Sequence, residues 1–255
     1  MNYLSTVGLD FKNTISETNV FRWMLFFLIF LWLVFDPTMA TVYTLMILAD
    51  YVFFSTDDYV SLQFERTKEN RISSTLMAIV AYAGFLVIST AVFAVLAPAS
   101  LSKFAGQGVQ GIIALQAASV PILAGNKFLT IVGWSFAIPL IETRFFFLRI
   151  YEGLAEYAKD FTGKKIDFIK FSESTIILIL VVSAFFVLFH LSSKYGASIP
   201  LFITFIFAII SMILIIIMKD GFAAVIFHVL SNLIATLTAL NLFAIFGAKT
   251  LAGAG

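Results

Sequence analysis

Apolar runs long enough to cross a bilayer follow one another along most of this chain, and they constrain its fold more than any motif does. A helix needs about 20 apolar residues to span the hydrocarbon. Backbone polar groups in lipid are satisfied only inside helices or closed barrels. Runs from about Val20 to Phe35, Thr38 to Phe54, Ile72 to Leu96, Ser172 to Ser193, Ile199 to Met218 and Gly221 to Phe246 meet that length or approach it. Charged residues make up 12% of the chain, half the figure of about 25% for soluble domains. The expected fold is all-α: a polytopic transmembrane bundle of roughly six to eight helices, some kinked or re-entrant. The 255 residues then form a single integral membrane domain with no soluble appendage of useful size.

Punctuation between the runs refines this picture. Asp36-Pro37 permits a break and restart, because proline lacks the N–H that would continue a helix. Gly106, Gly108 and Gly111 lead into Ile112 to Leu123, short enough to be tilted or re-entrant. Pro139 is expected to kink its helix or start a new one, with a more polar continuation to about Lys159. Asp220 suits an N-cap, and Asn241 with Gly247 suggests that the last run bends or ends in a separate short helix. Much of the abundant phenylalanine, 30 residues, is expected to face lipid.

Charge and cysteine usage exclude several classes. A net charge of +1 with scattered basic residues argues against nucleic-acid binding, and the absence of cysteine removes disulfides and thiol catalysis. The first twenty residues are polar and mixed, unlike a secretory leader, so the first apolar run reads as a retained helix. Segments 55–71 and 159–170, with Lys12 and Arg22, hold most of the Lys and Arg, which places them and the N-terminus on the cytoplasmic side. An even number of crossings must then separate residues 71 and 159.

Three ionisable residues interrupt the apolar runs. Glu142 follows a stretch uncharged since Lys127, and His190 and His228 each lie within a long run. Such groups are costly at membrane depth and are by default candidates for a functional site. Phe186 stands one helical turn before His190, where its ring can wall the imidazole. Asn232 stands one turn after His228, where its amide can fix a tautomer or stabilise an oxyanion. Arg149 lies two turns beyond Glu142 on the same α-helical face, and with Glu152 and Glu156 also fits an amphipathic surface helix. Taken singly, His190 suits a helix end and His228-x-x-x-Asn232 a polar bond between helices.

Glutamate, then Phe-x-x-x-His, then His-x-x-x-Asn, on successive membrane helices, resembles the CPBP family of intramembrane proteases, which includes CAAX prenyl endopeptidases and bacteriocin-immunity proteins. The family's first motif is Glu-Glu-x-x-x-Arg; here Thr143 replaces the second glutamate and Phe147 the arginine. Residues 1–135 correspond to leading helices and 136–246 to the family-like core. The resemblance implies hydrolysis of a peptide bond in a membrane-embedded or membrane-tethered substrate. Glu142 would activate the water, His190 would orient it, and His228 with Asn232 would stabilise the oxyanion, with Phe186 and Arg149 in support. It also implies two variants, one with zinc on His190, His228 and Glu142 and one without a cofactor. Two other readings remain: a non-catalytic relative serving in a membrane complex, favoured by Thr143 and Phe147, and a transporter or channel with a polar pore.

Overall fold

A computed structural model describes residues 28–54, 68–96, 106–162, 171–191, 198–219 and 221–242. Asp220, Gly247 and most of the basic segments 55–71 and 159–170 lie outside them. All described elements are helical, with no strand among the described residues. Five helices are long and apolar enough to cross a membrane, so the chain is an integral membrane protein built as an all-α bundle.

A first helix, α1, covers residues 28–34 and stops where expected. The side-chain oxygen of Asp36 accepts from the N–H groups of Thr38 and Met39, capping α2, Pro37–Phe54, whose first residue has no N–H to satisfy. α3 spans Lys68–Leu96. The run after the glycines does not cross: α4 is only Val109–Ala117, followed by extended backbone and a 3-10 turn at Leu123–Gly125. That irregular stretch is held by side chains. Leu123 N–H donates to the Thr130 hydroxyl at 2.9 Å, and the Asn126 side chain accepts from Phe128 and Leu129 to start the next helix.

That helix, α5, runs without interruption over residues 127–162, so Pro139 neither breaks it nor begins a new one. The accommodation is a change of winding. Gly133–Ala137, just before the proline, and Thr143–Ile150, just after Glu142, are π-helical. Proline offers no donor to the carbonyl four residues earlier, and a widened turn absorbs that loss within a continuous rod. Gly133 sits at a close approach of α5 to Leu123 and Phe35. A Cβ there would lie 2.7 Å from Leu123 Cδ1 and 3.2 Å from Phe35 Cζ.

α6, Glu173–His190, is capped by Ser172, and α7 is Ser198–Met218. α8, Gly221–Ala239, breaks at Asn241, which is in the left-handed conformation; the residues after 242, where a separate short helix was expected, lie outside the described ones. α8 is the hub of the bundle, packed on α3, α4, α5 and α7, while α6 packs on α5 and α7, and α2 on α5. Buried small residues, Gly221, Ala223, Ala224 and Ala235, let its neighbours approach. The phenylalanines divide between two environments. Phe128 and Phe202 face outward, whereas Phe85, Phe186, Phe207 and Phe227 are buried and pack ring against ring, so aromatic residues form much of the core.

Candidate active site

Glu142 lies between the two π segments of α5 and is 3% exposed. A carboxylate at that depth is costly unless polar groups surround it. α2 supplies the first: the Tyr43 hydroxyl donates to Oε1 at 2.7 Å. The other oxygen, Oε2, faces both imidazoles, with His228 Nε2 at 3.6 Å and His190 Nε2 at 3.9 Å. Four helices thus meet at one carboxyl group. Both separations are too long for a direct hydrogen bond and short enough for a shared water or substrate atom.

The two histidines differ in their second nitrogen. His190 Nδ1 lies 2.7 Å from the Phe186 carbonyl, one turn back on α6. A carbonyl only accepts, so Nδ1 carries the hydrogen, and a neutral His190 presents an Nε2 lone pair toward Glu142. The Phe186 ring packs on the imidazole with centroids 4.4 Å apart, the walling expected from the four-residue spacing. His228 Nδ1 instead meets the Thr143 hydroxyl at 3.1 Å. Thr143, one of the two departures from the motif that the sequence resembles, is therefore a residue that holds the second histidine.

Asn232 does not make the bond to an imidazole expected of it. Its amide donates to the carbonyl of Trp134 at 3.0 Å, inside the first π segment. Winding α5 in the π register shifts its carbonyls away from their usual donors, and a side chain from α8 fills one such place. Arg149 is buried, yet the hydrogen-bond and ion-pair partners of Glu142 are Tyr43, His190 and His228, and Arg149 is not among them. Seven residues return to the same face of an α-helix, but at about 4.4 residues per turn they end far around it. The π winding over Thr143–Ile150 therefore carries Arg149 off the Glu142 face. Phe147, at the position of the missing arginine, is fully buried and packs on Phe186 with centroids 4.9 Å apart.

Glu142, His190, His228 and Asn232 all line one cavity of about 480 Å³, whose lining also includes Phe186, Phe207, Ile138, Asp36, Ser119 and Pro200. The histidines' different positions along α6 and α8, the last residue of one and the eighth of the other, would separate them by about 15 Å in level parallel helices. They converge on one oxygen nonetheless, so α6 and α8 do not run level. Tyr43 and Gln116 also line the cavity and were not singled out in the sequence. A tyrosine within an apolar span, whose hydroxyl needs a partner, was the available signal for Tyr43.

Tetrahedral zinc holds its ligand atoms about 3.3 Å apart. The spacings at Oε2 are wider, and no set of three His, Cys, Asp or Glu side chains among the described residues stands in metal-holding geometry. The fold and site define a polytopic membrane protein with a buried Glu-His-His centre facing a cavity. Comparison with protein-family models, curated proteins and solved structures finds no match to this chain.

Proposed function

We propose that this protein is an intramembrane endopeptidase of the CPBP kind, hydrolysing a peptide bond in or beside the membrane. One observation supports this most directly: a buried carboxylate has one oxygen held by Tyr43 and the other facing two imidazole nitrogens at the wall of a cavity. A water between Glu142 Oε2 and His190 Nε2 donates one proton to each, which turns its lone pairs toward the cavity. Glu142 takes the proton as the oxygen attacks the substrate carbonyl, then delivers it to the leaving amine. With the Thr143 hydroxyl donating to Nδ1, His228 presents an Nε2–H to the developing oxyanion. Asn232 fixes α8 to α5 beside this centre. Thus His190 serves as acceptor and His228 as donor. No step requires a metal. Loss of activity on chelation, restored by zinc, would bring an ion to His190, His228 and Glu142.

The test uses purified protein in liposomes with a lipid-anchored peptide library and mass-spectrometric detection of products. Cleavage by the native chain and its loss in Glu142→Gln, at unchanged melting temperature, supports the reading. Equal products from both proteins would move it to the non-catalytic relative. Proton-coupled flux through Glu142 without cleavage would favour the transporter.

The same proposal extends to orientation. In the sequence, Arg66, Lys68 and Arg71 stand at the start of α3 and Lys164, Lys165 and Lys170 precede α6, whereas Asp36, Ser119 and Pro200, which line the cavity, lie at the opposite helix ends. α4 is too short to cross, so α3 and α5 provide the even number of crossings between the basic segments. The positive-inside rule then sets the N-terminus in the cytoplasm and opens the cavity toward the other side. Because the chain has no cysteine, a single Ser119→Cys variant tests this cleanly. An impermeant maleimide should label it in intact cells; labelling only after permeabilisation would reverse the orientation.

A further inference from the structure

Beside the Glu-His-His centre, one buried polar group has an unmet hydrogen-bonding capacity that neither the fold nor the proposed chemistry uses. Gln116, in the last turn of α4, reaches α8 and donates from Nε2 to the Ser231 hydroxyl at 3.3 Å. Its Oε1 is buried without any hydrogen-bond partner. The two ends of a glutamine amide are interchangeable in such a network. With the amide turned over, Ser231 donates to Oε1 and the NH₂ group is left over instead. Either way one end of this amide lacks a protein partner, and a buried polar group of that kind is an exception that calls for an explanation.

Its position supplies one. Gln116 and Ser231 both line the catalytic cavity, and Ser231 lies three residues after His228, on the same face of α8. The surrounding wall is apolar, with Ile112, Leu115 and Phe85. A carboxamide carries an acceptor and two donors in one plane, the complement of a main-chain peptide group with its C=O and N–H. A phosphorylated ligand would find no Lys or Arg among the described residues lining this cavity, and a hydrocarbon chain would leave the amide unpaired. We propose that Gln116, with Ser231, forms a subsite that binds a main-chain amide of the substrate next to the scissile bond. It orients an extended peptide segment across Glu142. This deepens the endopeptidase reading and rests on it for the substrate class, although binding at the subsite does not require cleavage.

The experiment therefore measures binding in a protein that cannot turn over. A fluorescein-labelled apolar hexapeptide is titrated into Glu142→Gln protein in micelles. A series of analogues follows, each with one backbone amide replaced by an ester. Fluorescence anisotropy reads the affinity. One ester position should bind about tenfold more weakly than the all-amide peptide, the size of one hydrogen bond. Adding Gln116→Met should lower affinity for the all-amide peptide by about the same factor and erase the penalty at that position. Should Gln116→Met lower the yield of folded protein, the double variant Gln116→Leu, Ser231→Ala removes both partners together and leaves neither unpaired. Ester penalties unchanged by the Gln116 substitution would overturn the proposal, as would no binding at millimolar peptide. Amide-sensitive binding together with no cleavage by the native chain would retain the subsite and discard the endopeptidase.

Discussion

α5 and α8 meet along one antiparallel seam, and its two halves use polar groups in opposite ways. In the half around Trp134, two hydrogen bonds close the seam: the Ser135 hydroxyl donates to Thr236 Oγ1 at 3.0 Å, and Asn232 donates to the Trp134 carbonyl at 3.0 Å. In the half around Glu142, Thr143 still meets His228 Nδ1, but Glu142 Oε2 stops 3.6 Å short of His228 Nε2, and 3.9 Å short of His190 Nε2 from α6, beside a cavity. The first arrangement is interhelical glue, worth under about 2 kcal/mol per bond in membrane helices. The second leaves hydrogen-bonding capacity directed at something that enters. Under the proposed chemistry, polar residues along this seam separate into structure and chemistry according to whether they are satisfied.

That contrast can be broken by substitution. The largest effect is expected at the open half, where His228→Ala should lower the cleavage rate by about 10²- to 10³-fold, as removal of an oxyanion donor does, while the fold persists. A smaller loss, of about tenfold, is expected for Tyr43→Phe, which takes the hydrogen bond from Glu142 Oε1 without changing the ring packing. Thr143→Val should cost a similar factor by freeing His228 Nδ1, and Thr143→Ser should restore most of it. Rate measurements on the four variants check this order; loss of folded protein instead of rate would place Tyr43 and Thr143 in the closed class. At the closed half the signature reverses. Asn232→Ala should lower unfolding stability by about 1 kcal/mol and leave the rate within tenfold. A rate loss above a hundredfold in Asn232→Ala would return that residue to the oxyanion role its motif implies. The smallest effect is expected at Gly133→Ala, where the added Cβ meets the mobile end of Leu123 and costs about 1 kcal/mol of stability with no change in rate.

How much of this was legible in the sequence follows the same division. The bundle was legible because lipid demands long apolar helices, and the break at Asp36-Pro37 fell where proline's missing N–H permits one. Glu142, His190 and His228 stood out because ionisable groups at membrane depth are costly, and they do line one cavity. Winding was not legible. Seven-residue spacing put Arg149 beneath Glu142 only for an α-helix, and the π turns of α5 move it away while freeing a carbonyl that captures Asn232. Tyr43, a hundred residues away along the chain, carries no local pattern tying it to Glu142. Thr143 read as the loss of a motif residue, yet tertiary packing makes it the partner of His228.

Whether the open half of the seam activates water is tested most directly by oxygen labelling. Native protein and Glu142→Gln are reconstituted side by side in liposomes containing the same membrane-tethered peptide, in ¹⁸O-enriched water. The proposed chemistry predicts new C-termini carrying one heavy oxygen with the native protein, and a rate lower by about 10² to 10⁴ in the variant, the range for a general base. Equal product from the two proteins, or product without the label, would contradict it.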